Sequence, residues 1–136
     1  MAITITQSDV NTEVSILGIQ GDLDASNYKD AISMAMEAHS SGAQYLVIDM
    51  SDLRFMASSG LVALHSIALV MRDELAPDPE YGWDAFHSIS RDKTGGAQES
   101  VVLLKPQPKV QKTLEKTGFD EQFKIYSDLE SAIASF

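Results

Sequence analysis

The sequence predicts an α/β fold: a mainly parallel β-sheet that opens with an N-terminal hairpin, is covered by about four helices and carries one long inserted loop. Three observations carry this. Residues 2–6 and 13–20 alternate apolar and polar side chains, the period of half-buried strands. Residues 46–50 and 101–104 are short, nearly continuous apolar runs, as strands covered on both faces require. Between and after these runs, apolar residues recur at helical spacing. Strands and helices therefore take turns, which is the chain order of parallel βαβ units.

The two opening strands flank a turn around residues 8–12, and Gly21-Asp22-Leu23-Asp24 follows as a second turn. A helix over about residues 25–40 presents Tyr28, Ile32, Ala35, Met36 and His39 as an apolar stripe and ends at Gly42. His39 is then a helix-end cation or a partly buried side chain rather than a ligand. After the apolar strand at 46–50, closed by an acid and a serine, the period changes. Leu61, Leu64, Ala68 and Met71 recur at helical spacing with Ile67 beside them, so Ser58 and Ser59 fall at the start of a helix of about a dozen residues or more.

Residues 74–100 carry two prolines, three glycines, many charges and no clear period, and read as an inserted loop. Tyr81, Trp83 and Phe86 within it are expected to tether the loop to the core. Regular structure returns with the strand at 101–104. Pro106 and Pro108 suit a helix start near Gln107, with Val110 and Leu114 facing inward until Gly118. Residues 123–126 form a last short strand, Ser127 to Glu130 has capping-box spacing, and Leu129, Ile133 and Phe136 direct the final helix at the core.

At 136 residues the chain reads as one domain, residues 1–136, large enough to bury a core without disulfides or metal. It has no cysteine, which excludes thiol catalysis, disulfides and thiolate metal sites and is compatible with a reducing cytoplasm. The N-terminus shows no basic region followed by an apolar core, and the apolar stretch 60–71 is too short to span a bilayer, so a cytoplasmic protein is expected. A formal net charge of -10 argues against nucleic acid and anionic membranes as principal partners. Lys109, Lys112 and Lys116 share one helical face, read as a solvated surface.

The chemistry-bearing candidate is Ala57-Ser58-Ser59-Gly60. A helix start leaves backbone N–H groups unpaired and carries partial positive charge, so a serine there can cap the helix, and a phosphate on it is stabilised. Gly60 costs about 1 kcal/mol of helix propensity relative to Ala, and its missing side chain is expected to leave the serines accessible to a large partner. The ligand edge of a parallel sheet lies beyond the C-terminal ends of its strands, which is expected to make Asp22, Asp24 and Ser58 neighbours.

The segments GDLDASN (21–27), VIDMSDLRFMASSGLVAL (47–64) and VVLLKPQPKVQKTLEKTGFDEQFKIYSDLESAI (101–133) resemble, in order and spacing, the STAS domains, and most closely the bacterial anti-sigma factor antagonists. The resemblance implies a STAS-like fold and a partner switch without cofactor, metal or catalytic residues. In such proteins the first serine of the turn, here Ser58, with Ser59 as second choice, is phosphorylated by an ATPase-type serine kinase that is also the anti-sigma factor. The unphosphorylated form binds that kinase and frees the sigma factor; a serine/threonine phosphatase restores binding. Asp22, Asp24, Ala57, Ser58, Ser59, Gly60 and Leu61 are the implied partner-binding residues. The chain departs from the family at Ala57, where an aspartate is usual, and in the 74–100 insertion.

Three other readings compete. Asp49 and Lys105-Pro106 are placed as in a response-regulator receiver, but a receiver needs another strand between theirs. A hydrolase built on Ser58 needs a His base, and His39, His65 and His87 lack motif context. A scaffold module of a sensory or regulatory complex would use the same fold without phosphorylation.

Overall fold

The computed structural model describes residues 2–8, 13–71 and 100–136. Among these are six strands and five helices: β1 (Ala2–Gln7), β2 (Val14–Leu23), α1 (Tyr28–Ser40), β3 (Tyr45–Asp49), β4 (Leu53–Met56), α2 (Ser58–Met71), β5 (Val101–Leu104), α3 (Pro108–Thr117), α4 (Phe119–Gln122), β6 (Lys124–Tyr126) and α5 (Leu129–Ala134). The expected loop at 74–100, with Tyr81, Trp83, Phe86 and His87, lies outside the described residues except for Ser100.

The strands form one sheet in the order β1-β2-β3-β5-β6, with β4 attached to β2 off that path. Only β1 and β2 run antiparallel, from Ala2 opposite Gln20 to Gln7 opposite Ser15; every other pairing is parallel. The expected hairpin and parallel remainder are thus both present. The sheet strands follow a period of two even where they are buried on both sides. Leu17, Ile19, Leu46, Ile48 and Leu103 join the larger core with residues of α1, α2, α3 and α4. Val14, Val47, Val102 and Leu104 face the other way, against Ala132 and Ile133 of α5, where Phe136 stacks on Tyr45 with ring centroids 4.7 Å apart.

Several expectations are corrected. Of the turn assigned to Gly21-Asp22-Leu23-Asp24, the first three residues are the end of β2, which runs three residues further than its alternation indicates and pairs with β4; Asp24 follows the strand. β4 and the one-turn α4 were not anticipated: Leu53–Met56 neither alternates nor forms a continuous apolar run, and one turn of helix is too short to display a period. Helix α1 starts at Tyr28 rather than near residue 25, and Met36 is 52 % exposed, its place in the buried stripe being taken by Ala31 and Ala38. Leu129 is also exposed, and α5 is capped by Asp128, whose side chain accepts from the Ser131 N–H, rather than by Ser127.

The remaining helices behave as their residues require. Pro108 opens α3, Val110 and Leu114 are buried, and Gly118 ends it with φ 78°. Lys109, Lys112 and Lys116 are exposed, as a solvated face should be.

Candidate functional site

Two segments converge at the C-terminal edge of the sheet. The Ala57 N–H donates to the Leu23 carbonyl at 2.9 Å, so the residue before α2 is tied directly to the last residue of β2. This joins the two segments that bear Asp22, Asp24 and the serines, as the sequence led us to expect. Ser58 is the first residue of α2 and is exposed, whereas Ser59 is half-buried. Ser58 is thus inside the helix, and the residue just before it is Ala57, which has no side-chain acceptor. Of the first-turn N–H groups, that of Gly60 donates to the Ala57 carbonyl at 2.9 Å, and the helix start carries the partial positive charge that favours an anion.

Gly60 has a different role from the one its sequence context indicated. It is buried, and a Cβ there would run into the Met56 side chain and come within 3.2 Å of Leu23. Its small size serves close packing of α2 on β2 and β4, not access to the serines. Leu61, expected to meet a partner, is 2 % exposed and belongs to the main core. Neither residue reaches solvent, because the inward face of α2 begins within its first turn.

The acids differ from each other. Asp24 is fastened to its own turn: its carboxylate accepts from the N–H and hydroxyl of Ser26, at 2.9 and 2.5 Å, and its carbonyl accepts from Asn27 and Tyr28. These two Ser26 bonds hold its pKa below the ordinary aspartate value, against a small opposing effect of burial. A lowered carboxylate pKa means that its stabilising contribution is complete above the unfolded-state value and disappears as the pH falls through the folded-state value. Asp22 is half exposed and makes only a loose ion pair, 3.8 Å from the Arg54 guanidinium. A contact of that length between exposed groups is weak.

Sequence reasoning missed three residues here. Asn27 is 5 % exposed; its side-chain amide donates to the Asp22 carbonyl at 2.7 Å and its oxygen accepts from the Asp24 N–H at 3.0 Å. Arg54 and Phe55 lie on β4 and both face solvent, Phe55 at 50 %. The cause is a shift in register. Gly21 pairs with Leu53, but Asp22 pairs with Phe55, leaving Arg54 as an extra residue on β4. Such a bulge breaks the alternation, so Leu53 and Met56 both turn inward while the two residues between them turn out. Gly21, with φ 86°, takes the left-handed conformation at this point. That glycine before Asp22 was the one signal available in the sequence.

The alternative chemistries gain nothing from this geometry. Strands β3 and β5, which carry Asp49 and precede Lys105, are adjacent, with Asp49 opposite Leu104, so no strand intervenes as a receiver requires. Asp49 accepts from the Ser51 N–H. His65 is 3 % exposed within α2, and His39 is bonded to the Ala43 carbonyl at 3.0 Å. Among the described residues, no group of three His, Asp or Glu side chains is placed to hold a metal, and no helix is long and apolar enough to cross a membrane.

Residues 6–73 match the family described as STAS domain. The fold is that of solved anti-sigma factor antagonists. A Thermotoga maritima protein assigned to that class superposes with a TM-score of 0.69 at 19 % identity, covering 97 % of this chain and 92 % of that one. An anti-sigma factor antagonist from Mycobacterium paratuberculosis gives 0.65 at 20 %, with 98 % and 93 % covered. The Bacillus cell-fate determinant SpoIIAA in its phosphorylated form gives 0.56 at 18 %, with 98 % and 97 % covered. No curated protein sequence matches the chain.

Proposed function

The chain belongs to the STAS domain family, and on that premise we propose that it is an anti-sigma factor antagonist that works by partner switching at Ser58. In its unphosphorylated form it binds an ATPase-type serine kinase that holds a sigma factor; phosphorylation of Ser58 releases it, and a serine/threonine phosphatase resets it. The observation that carries this reading is the exposed Ser58 at the start of α2, next to the acid-bearing end of β2. Phosphorylation adds about -1.5 to -2 charges, which the free N–H groups of a helix start accommodate and an opposed protein surface does not. The solved SpoIIAA structure in phosphorylated form supports the reading by its shared fold.

The test is direct. Incubation with the cognate kinase and ATP should add one phosphate, located at Ser58 by fragment mass spectrometry, and Ser58→Ala should abolish it. Ser58→Asp should weaken kinase binding while Ser58→Ala preserves it; equal affinities would exclude the switch.

One observation favours a second reading, a scaffold module that binds without phosphate control. Ala57 leaves the serine without the neighbouring carboxylate usual in the family. An intact mass unchanged by the kinase that the chain itself binds would establish that reading instead.

A further inference from the structure

The two ends of the sheet are finished differently. At one, β6 is three residues long and begins with the exposed Lys124, both features that discourage a further strand. At the other, β1 has six residues, no charged side chain, no proline and an unbroken register against β2. Among the described residues, no strand pairs with its outer side. An edge of that length without a charge or a bulge is a template for another strand. The groups it offers follow from one bond. The Ser8 N–H donates to the Val14 carbonyl at 2.9 Å, so in antiparallel alternation Thr6 with Ile16 and Thr4 with Gly18 are also hydrogen-bonded pairs. Ile3 and Ile5 therefore turn their N–H and C=O groups away from β2. The Ile5 side chain shares the face of Leu17, opposite it, yet is 36 % exposed, and Thr4 and Thr6 are exposed on the other face.

The sequence of this edge complements itself. When two copies of Ile3-Thr4-Ile5-Thr6-Gln7 lie antiparallel about Ile5, Ile5 exchanges both backbone bonds with Ile5 of the second copy, and each Thr4 falls opposite a Thr6. Thr–Thr pairs across strands stabilise antiparallel sheets, and the two Ile5 side chains cover each other. Charge selects the same occupant. A charged strand would find no counter-charge on β1, whereas a second β1 sets no charge opposite another, even though each chain carries -10 in all. Glu37 of α1 lines the groove beside Ile5 and Thr6, so screening by salt favours the approach of two such edges. Five paired residues bury less than the about 800 Å² per partner of a standard interface, which makes the association weak and concentration-dependent.

We propose that β1 pairs with β1 of a second copy of this chain, antiparallel and centred on Ile5, so that two sheets join into one. β1 accompanies β2 only as far as Gln20, and the segment of β2 that meets β4 and the serine turn starts at Gly21, beyond the paired strand. The pairing and the switch at Ser58 therefore use different parts of the sheet, and the inference stands independently of the switch.

The experiment follows the full chain by sedimentation velocity at rising concentration, with amide hydrogen exchange read by NMR at both ends of the range. Dimer should increase with concentration and with added salt. The Ile3 and Ile5 amides should exchange fast in dilute solution and slowly in concentrated solution, while those of Thr4 and Thr6 stay protected throughout. Ile5→Lys should weaken dimerisation by about tenfold or more at an unchanged melting temperature. Because the chain has no cysteine, one introduced thiol reports the register: Cα atoms of a hydrogen-bonded pair lie about 5.5 Å apart, within disulfide reach. Ile5→Cys should give a disulfide-linked dimer under mild oxidation. Leu129→Cys, on α5 at nearly the same exposure, 37 % against 36 %, should not. A chain that stays monomeric at every concentration overturns the proposal. Slow exchange at Ile3 and Ile5 in dilute solution overturns it too, since the edge is then covered within the chain. So does a dimer that Ile5→Lys leaves intact and Ile5→Cys does not cross-link, because the contact then lies elsewhere.

Discussion

Asn27 occupies the point where the end of β2 passes into α1, and its one amide group serves the backbone on both sides, donating to Asp22 and accepting from Asp24. Both partners are main-chain groups, so removing the amide leaves a part-buried carbonyl and N–H unpaired, which costs about 1–3 kcal/mol. Asn27→Ala should lose that much stability in urea titration. Ser26→Ala, beside it but exposed, should stay within about 0.5 kcal/mol of wild type. The acids of the site were legible in the sequence as polar residues after a glycine. The residue that positions them was not, because an asparagine in GDLDASN carries no mark of which backbone groups it will meet.

At the scale of elements, legibility followed length and end signals. Helix α3 has Pro108 at its start, a left-handed Gly118 at its end and two inward residues one turn apart, and it was found with its boundaries nearly correct. Helix α2 was found for its period. That period already set Leu61 on the apolar face, whereas Gly60, read as an opening beside the serines, is buried, because an apolar helix covered on most sides does not reveal which residues stay outside. The cap of α5 was misplaced by one residue, since Ser127 and Asp128 are both good caps and only the backbone geometry chooses. Asp128→Ala should cost about 1 kcal/mol in denaturant unfolding, whereas Ser127→Ala should be close to neutral. The opposite ranking would place the capping box where the sequence alone put it.

For the whole molecule, the sheet separates a large core, under four helices, from a smaller one closed by α5 and the Tyr45–Phe136 stack. Strand β5 lies between β3 and β6, with all four of its residues buried, so its side chains support both cores at once. Leu103→Ala, at 0 % exposure in the larger core, should lower stability by about 2–5 kcal/mol in equilibrium unfolding. Leu129→Ala, an exposed position on the covering helix, should cost less than about 1 kcal/mol.

By itself the sequence determined the α/β class, the antiparallel opening, the parallel order and the serine turn at a helix start. Each of these is written in local periodicity and in residues whose backbone preferences are strong. Tertiary structure decided that β2 continues through Gly21–Leu23 to pair with β4, that Gly60 packs inward, and that Arg54 and Phe55 face solvent beside Asp22. Those outcomes depend on the register between strands some thirty residues apart in the chain. A one-residue shift in that register reverses which side chains are buried, and no short window of sequence contains it.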